Sequence, residues 1–292
     1  MKGALGSLLE PAAVHVVRLP PLPDAVRRIQ ELAADPEVDC TSLGSALEED
    51  ADLVQRVLHL AAGLPGQEAP PADGPTAAQR LGTRGLAPVV LQAVAERLLE
   101  EHPRAGDVDA AGLVRHALRT GRLACELARC APAGLGPCPE EAFGWGLLHD
   151  VGKILLLDTL GPEYVEILAD ARQLATPLHV VERSLLGFSH VDVSALAAAR
   201  WGLDRPAVEA IRYHHGPRAR FAERADLALL AVADQATYRS TRGATRGAEP
   251  IHGPGLARLA GVASDRLGIG SAAFALALRR ADLPASRDAA SG

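Results

Sequence analysis

Aromatic residues are scarce in this chain: they make up 3% of its 292 residues, whereas hydrophobic residues make up 48%. A β-sheet core usually draws on Val, Thr and Tyr, and abundant Ala and Leu instead favour closely packed helices. We therefore predict an all-α fold. The length is enough for one large domain or for two smaller ones, each with its own core.

Long apolar segments are also lacking, because no uncharged run reaches the ~18 residues that a membrane-spanning helix needs. The first residues, Met1 to Pro11, contain one Lys and no apolar core typical of a signal peptide. We therefore expect a cytoplasmic protein with no membrane partner.

Positive charge is in deficit, with 30 Lys and Arg against 36 Asp and Glu and a formal net charge of -6. This charge argues against broad binding to a phosphate backbone, so a nucleic-acid partner is not expected. A small basic run, formed by Arg239, Arg242 and Arg246, is typical of a solvated loop. No clear basic recognition helix is present.

Cysteine is rare as well, and its four residues, Cys40, Cys125, Cys130 and Cys138, form no C-x-x-C pair. This spacing favours reduced thiols and argues against a structural zinc site, while a disulfide is the alternative. The search for metal ligands therefore turns to histidine and to the acidic residues.

Proline and glycine divide the chain into two parts. A loop is predicted from Gly63 to Gly74, and a second break from Glu101 to Asp107 contains a proline and a glycine. We place a subdomain boundary at the second break, which gives an N-terminal helical subdomain of residues 1–106 and a second helical subdomain of residues 107–292. The tail from Pro284 is expected to be disordered.

Apolar residues recur at three- and four-residue spacing over most of both parts, which predicts helices. In the first part these are Ala25–Ala34, a pair of short helices up to Ala62, Pro75–Leu81 and Ala87–Leu99, with stops near Gly82 and Gly85. In the second part they are Ala110–Ala131, Glu140–Asp150, a helix from Gly161, Pro177–Leu186, Ser189–Trp201, Pro206–His215, Asp226–Tyr238, Leu256–Leu267 and Ala272–Ala281, with a loop at Arg242–Pro254.

The most informative stretch runs from Gly144 to Lys153, with the sequence GWGLLHDVGK. It places the imidazole of His149 next to the carboxylate of Asp150 at the end of an apolar run, and both side chains are ligand types for divalent metals. A metal site needs further ligands from elsewhere in the chain.

Two further candidates lie on apolar helix faces. His116 shares its face with Leu113, Thr120 and Ala124, so it points inward as either a hydrogen-bonded core residue or a ligand. Asp234 lies on the apolar stripe of its helix, where an ionised carboxylate is costly unless it is paired or binds a metal. An Arg or a helix N-terminus is the alternative partner for Asp234.

Three more histidines are ligand candidates. His214 and His215 end a helix, and adjacent helical residues differ by about 100° in direction, so one of them should face the core. A favourable interaction of His with the helix dipole is the alternative explanation. His190 lies in the first turn of its helix, after a capping pattern that explains Ser189 and Asp192 but not His190.

The order of these residues on successive helices resembles the HD superfamily of metal-dependent phosphohydrolases, and within it most closely the HDOD family of bacterial signalling proteins. The residues that carry the resemblance are LPPLPDAVRRIQELAADP (Leu19 to Pro36), LEEDADLVQRVLHLA (Leu47 to Ala61), AFGWGLLHDVGKILL (Ala142 to Leu155) and ERSLLGFSHVDVSALAAARWGLDRPAVEAIRYHH (Glu182 to His215). The resemblance implies an N-terminal helical subdomain packed on an HD-like helical bundle.

The resemblance also implies a ligand set. The residues that match the first metal centre of HD enzymes are His116, His149, Asp150 and Asp234, and those that match the additional ligands of HD-GYP phosphodiesterases are His190, His214 and His215. The chain departs from HD-GYP proteins after His215, where it reads Gly216-Pro217-Arg218 and lacks the GYP element. It also departs from the usual HDOD pattern at Ala62-Gly63.

Two functions follow from the resemblance. The first is a regulatory signal-transduction module that acts through unidentified signalling proteins and carries one or two divalent ions, of Fe, Mn, Zn or Mg. The alternative is a metal-dependent phosphohydrolase that acts on nucleotides or cyclic dinucleotides. In that case Lys153 is a candidate contact to a phosphate oxygen, while a surface lysine with a buried stem is the other interpretation.

Overall fold

A computed structural model of the chain describes residues 17, 19, 21–33, 35, 37–67, 69–101, 109–216, 224–244 and 254–282. Within these residues every regular element is a helix and none is a strand, which confirms the predicted all-α class. The helices are α1 (Asp24–Ala33), α2 (Cys40–Leu47), α3 (Ala51–Ala61), α4 (Gly74–Glu101), α5 (Ala110–Cys130), α6 (Pro139–Leu148), α7 (Val151–Leu160), α8 (Pro162–Gln173), α9 (Leu178–Leu186), α10 (His190–Arg200), α11 (Arg205–Tyr213), α12 (Ala225–Ala244), α13 (Pro254–Leu267) and α14 (Ser271–Asp282).

Helix α4 is bent where the sequence predicted a stop. Gly82 has φ 66° and ψ 171°, a conformation that interrupts the helix and that residues with a Cβ rarely adopt. Gly85, in contrast, lies within the second half of the helix, so the stop predicted there is wrong. Its close packing explains the glycine, because a Cβ at Gly85 would meet the backbone of Glu140 on α6 at 2.9 Å.

The loop predicted from Gly63 to Gly74 lies between α3 and α4, apart from Gly74, which starts α4. Two arginines of α5 hold its first residues. Arg122 donates to the carbonyl of Gly63 at 2.9 Å, and Arg129 donates to the carbonyl of Pro65 at 2.9 Å. The loop is therefore tied to the helix that also carries His116.

The second half of the chain shows one helix that the sequence did not predict. The predicted helix Glu140–Asp150 ends at Leu148, and a turn at His149 and Asp150 leads into α7. Most residues of α7 are buried, so its sequence has almost no polar face to reveal a helical period. The turn matters for the site because it carries two adjacent ligand candidates, His149 and Asp150.

The hydrophobic core is continuous from Val17 to Ala281. Helix α4 packs on α6 and α7, and α5 packs on α6, α12 and α14.

The division into residues 1–106 and 107–292 stays a prediction, since residues 102–108 lie outside the described residues. The predicted tail from Pro284 lies outside them as well.

The helix predictions near the C-terminus need one correction. Helix α12 continues to Ala244 rather than Tyr238, so the first residues of the predicted Arg242–Pro254 loop are helical. The middle of that loop, with Arg246, is outside the described residues.

The four cysteines are free thiols. Among the helices that the structure describes, none combines the length and apolar character required to cross a bilayer.

Candidate metal centre

Five segments of the bundle converge at one buried point. His116 comes from α5, His149 and Asp150 come from the turn between α6 and α7, and Asp234 comes from α12. His190 is the first residue of α10, and His214 and His215 follow the end of α11. The structure therefore brings together all seven ligand candidates, although they span about 120 residues of sequence.

The candidates form two groups that share Asp150. We call cluster A the group His116, His149, Asp150 and Asp234, and cluster B the group Asp150, His190, His214 and His215. In cluster B one ligand atom from each residue lies within 4.8 Å of the others, and the same holds for His116, His149 and Asp150 of cluster A.

Cluster A is compact around His116 and His149. The Nε2 atom of His116 lies 3.3 Å from His149 Nε2, 3.6 Å from Asp150 Oδ2 and 3.1 Å from Asp234 Oδ1. The Nε2 atom of His149 lies 3.3 Å from Asp150 Oδ2 and 3.5 Å from Asp234 Oδ1.

These separations fit the coordination shell of a small divalent ion. Ligand atoms around one ion are separated by about 1.4 to 1.6 times the bond length, so bonds of about 2.0–2.3 Å require separations of about 2.8–3.8 Å. All five distances measured in cluster A, from 3.1 to 3.6 Å, lie in this range.

Cluster B uses the other carboxylate oxygen of Asp150. Asp150 Oδ1 lies 3.3 Å from His190 Nε2 and 3.8 Å from His214 Nε2. These three atoms are buried, and none has a hydrogen-bond partner among the described residues. Buried polar atoms in proteins nearly always have a partner, so three such atoms directed at one another are the donor set that a cation would satisfy.

Two of the inward-facing histidines, His149 and His214, are each oriented by a backbone hydrogen bond on the other ring nitrogen. His149 Nδ1 donates to the carbonyl of Gly146 at 2.8 Å, and His214 Nδ1 donates to the carbonyl of Ile211 at 2.6 Å. A carbonyl can only accept, so the proton lies on Nδ1 and, in the neutral ring, the lone pair of Nε2 faces the cluster.

Close packing of α7 on α10 lets the two clusters share a residue. The backbone N–H of Gly152 donates to Ser194 Oγ at 2.8 Å, and a Cβ at Gly152 would collide with the carbonyl oxygen of His190. Glycine at this position therefore allows α10 to approach the turn that carries Asp150.

Lys153 lies inside the site rather than at the surface. Its side chain is 16% exposed, and its Nζ forms an ion pair with Asp150 Oδ2. Burial would lower the pKa of Lys153, but the charge of Asp150 outweighs burial and raises it. The interpretation of Lys153 as a surface lysine is therefore wrong, and its contact to phosphate stays a prediction.

The carboxylates of the site are ionised, and two of its imidazoles are neutral. Burial would raise the pKa of Asp150 and of Asp234, but His149 and Lys153 at Asp150, and His116 and His149 at Asp234, outweigh it and hold both well below the usual range. Burial lowers the pKa of His214, and it lowers that of His215 to about 3. Both rings are therefore neutral at physiological pH, which is the form that binds metals.

Three residues around the ligand candidates were missed from the sequence. Glu182 on α9 is fully buried and accepts from His190 Nδ1 at 2.6 Å, Tyr164 on α8 donates its hydroxyl to Glu182, and His179 stacks on His215 with ring centroids 4.6 Å apart. A signal for Glu182 existed, since it lies four residues from both Leu178 and Leu186, which are partly buried. The argument applied to Asp234, that a carboxylate on an apolar face needs a partner, also covers Glu182.

Comparison with known families extends over most of the chain. The sequence profile of the HDOD domain family matches residues 19–217. A curated relative, an uncharacterized protein of Treponema pallidum, is 26% identical over 198 residues, which are 68% of this chain and 37% of the relative. The chain therefore spans little more than a third of that relative's length.

Solved structures show the same fold. An HDOD domain protein of unknown function from Geobacter sulfurreducens is 27% identical, with a TM-score of 0.67 and coverage of 93% of this chain and 92% of that one. A candidate phosphohydrolase from Shewanella amazonensis is 24% identical, with a TM-score of 0.67 and coverage of 93% and 97%. A candidate signal transduction protein from Marinobacter aquaeolei is 24% identical, with a TM-score of 0.62 and coverage of 96% and 64%.

Proposed function

Because the chain belongs to the HDOD domain family, as its resemblance predicted, we propose that it is a regulatory signal-transduction module that acts through protein partners and carries a divalent metal centre at clusters A and B. The single observation that carries the metal centre is the set of unpartnered buried atoms of cluster B, Asp150 Oδ1, His190 Nε2 and His214 Nε2. The regulatory role is supported by the name given to the structural relative from Marinobacter aquaeolei.

The residue types favour some of the predicted metals over others. Cluster B supplies three imidazoles and one carboxylate, and cluster A supplies two of each. Imidazole suits Fe and Zn, whereas Mg²⁺ prefers an all-oxygen shell. Among Fe, Mn, Zn and Mg, we therefore propose one of the first three, with room for two ions because the two oxygens of Asp150 face different clusters.

The position of the clusters gives the metal a means of regulation. Their ligands come from α5, the α6–α7 turn, α10, the end of α11 and α12, so an ion would link segments that are far apart in sequence. An ion that binds the folded state stabilises the arrangement it binds. We propose that metal occupancy sets the relative positions of these helices, and that signalling partners respond to the surface they form.

A second function is favoured by one specific observation, the shared Asp150. Two ions about 3.5–4 Å apart supply Lewis-acid stabilisation to phosphoryl transfer. In a metal-dependent phosphohydrolase, Asp150 and Asp234 would hold the ions and the ammonium of Lys153 would contact a phosphate oxygen of a nucleotide or cyclic dinucleotide. The missing GYP element after His215 leaves the regulatory function as the preferred proposal.

Metal analysis combined with a phosphodiesterase screen separates the two functions. The purified protein is loaded with Mn²⁺ or Fe²⁺ and assayed on nucleotides and cyclic dinucleotides, beside Asp150→Ala and the control Asp170→Ala, which changes an exposed carboxylate of α8. The regulatory proposal expects no turnover in any of the three proteins, with metal bound by the wild type and by Asp170→Ala and lost from Asp150→Ala. Turnover that Asp150→Ala abolishes and Asp170→Ala retains would show the enzymatic function instead.

A further inference from the structure

Glu182 is a buried carboxylate beside the metal centre. Its side chain is 0% exposed, and it lies on α9, which contributes none of the seven ligand candidates. Its Oε1 accepts from the hydroxyl of Tyr164, and its Oε2 accepts from the backbone N–H of His190 at 2.9 Å and from His190 Nδ1 at 2.6 Å. The ionised carboxylate is thus fully engaged, and two of its three hydrogen bonds come from one residue, His190.

His190 differs in this respect from the other oriented histidines. His149 and His214 each donate Nδ1–H to a neutral backbone carbonyl, whereas His190 donates to a carboxylate. A hydrogen bond to an ionised acceptor is roughly twice as strong as one to a neutral acceptor. It also raises the electron density of the ring, so the opposite nitrogen becomes a better metal donor.

The geometry directs that opposite nitrogen into cluster B. With Nδ1 engaged by Glu182, Nε2 of His190 points to Asp150 Oδ1 at 3.3 Å and has no hydrogen-bond partner among the described residues. Two bonds from one carboxylate oxygen, to the ring and to the backbone of the same residue, fix both the rotation of the ring and its tautomer.

We propose that Glu182 is the positioning residue of cluster B, that Tyr164 holds its carboxylate in place, and that together they make His190 the strongest histidine ligand of a second ion. This inference rests on the proposed metal centre. It adds residues from α8 and α9 to a site whose direct ligands come from other segments.

The test compares Glu182→Gln with the wild-type protein in a calorimetric titration of the metal-free full chain with Co²⁺ or Mn²⁺. Gln keeps the shape and the acceptor oxygen but removes the charge. Loss of such an orienting partner weakens metal affinity by roughly 10–100-fold. We expect this weakening for one of two ions, the one in cluster B, while binding of the other is unchanged.

Glu126→Gln is the matched control. Glu126 is also a buried carboxylate, it accepts from Arg129 and Arg280, and it lies ten residues from His116 along α5, or about 15 Å. Neutralising it should leave both affinities at the wild-type values, although it removes two ion pairs. Equal weakening in both variants would overturn the positioning role and indicate general loosening of the fold.

A spectroscopic measurement keeps the inference testable even if Glu182→Gln does not fold. The ¹⁵N shifts of His190 in the metal-free wild-type protein report which ring nitrogen carries the proton. We expect the proton on Nδ1, and a proton on Nε2 alone would overturn the inference. Tyr164→Phe, which keeps the carboxylate and removes one donor, should weaken the same ion less than Glu182→Gln does.

The outcomes separate this inference from the proposed function. A wild-type protein that binds no divalent ion contradicts the metal centre itself, and the inference falls with it. A wild-type protein that binds two ions, beside a Glu182→Gln variant that binds both with unchanged affinity, contradicts only the role of Glu182.

Discussion

Clusters A and B share Asp150 but differ in how their atoms are satisfied. In cluster A, His116 Nε2 lies 3.1 Å from Asp234 Oδ1 in hydrogen-bonding geometry, and His149 Nε2 is within ion-pair distance of both carboxylates. In cluster B, His190 Nε2 and His214 Nε2 are also within ion-pair distance of Asp150 Oδ1, but none of these three atoms has a hydrogen-bond partner in the described part of the chain. Without a metal, cluster A can therefore persist as a hydrogen-bonded network of protonated histidine and carboxylate. Without a metal, cluster B leaves buried polar atoms unpaired, which costs free energy of folding.

This difference shows where the physical argument for an ion is strongest. The family resemblance points first to cluster A, whose residues match the metal centre of HD enzymes. A buried acceptor left without a donor costs about 1–3 kcal/mol, so the orphaned atoms of cluster B are the stronger structural reason to expect a cation. Variants that separate the two clusters therefore test the comparison directly.

The largest effect is expected from Asp150→Asn, because Asp150 is the residue that both clusters share. The neutral amide loses the charge that faces cluster A through Oδ2 and cluster B through Oδ1. We expect the variant to lose both ions, measured as metal content after equilibrium dialysis. Asp170→Asn, on the exposed face of α8, should retain wild-type metal content. Retention of one tightly bound ion by Asp150→Asn would show that the clusters do not share this ligand.

The next largest effect should divide the clusters. His116→Ala removes a ligand candidate of cluster A alone, and His214→Ala removes a ligand candidate of cluster B alone. Since about 10–16 kcal/mol of structural zinc binding is spread over four ligands, loss of one should weaken binding by at least about a hundredfold. Each variant should keep one ion in a titration followed by metal analysis. Loss of both ions in either variant would mean that the clusters bind cooperatively as one unit.

The sequence predicted the fold class and most helices, but it predicted the site unevenly. Helices with one polar face, such as α5 and α12, were found by their apolar spacing, whereas α7 is buried on nearly all sides and gives no such period. The end of the helix before His149 was predicted to within two residues, at Asp150 instead of Leu148, but α7, which follows the turn, was not predicted. Glu182 was missed because the argument that a carboxylate on an apolar helix face needs a partner was applied only to Asp234.

A smaller effect is expected from Gly152→Ala, which changes the packing of α7 on α10. Gly152→Ala places a Cβ against the carbonyl of His190, so α10 must move away from the turn that carries Asp150. Overpacking of this kind costs about 1–3 kcal/mol in the free energy of unfolding, and we expect cluster B to lose more affinity than cluster A. Urea unfolding and metal titration measure the two effects.

Gly261→Ala is the matched control for this substitution. Gly261 is exposed on α13, and a Cβ there meets nothing within 4 Å. Alanine in an open helical position should stabilise the protein by up to about 1 kcal/mol. If Gly152→Ala were as stable as the wild type and bound both ions normally, the close approach of α7 and α10 would not be required for the site.

A dependence of metal affinity on pH should also differ between the clusters. Burial would lower the pKa of His149, but Asp150 and Asp234 outweigh it and raise the pKa to about 10. At neutral pH an ion entering cluster A must therefore displace a proton from His149. The pKa values of His214 and His215 in cluster B are lowered, so these rings are already neutral and release none.

The sign follows from the direction of each shift. In the metal-free protein the stabilising protonation of His149 is fully present below about pH 6.5 and is lost as the pH rises toward about 10, so the proton competes less with metal at higher pH. Affinity at cluster A should rise about tenfold per pH unit in this window, while affinity at cluster B changes little. Calorimetry in two buffers with different ionisation enthalpies measures the number of protons released when metal binds. We expect about one proton from cluster A, measured in His214→Ala, and close to none from cluster B, measured in His116→Ala. Equal proton release from both clusters would mean that the carboxylates do not favour cluster A over cluster B, and the contrast between a protonated and an unpartnered cluster would be lost.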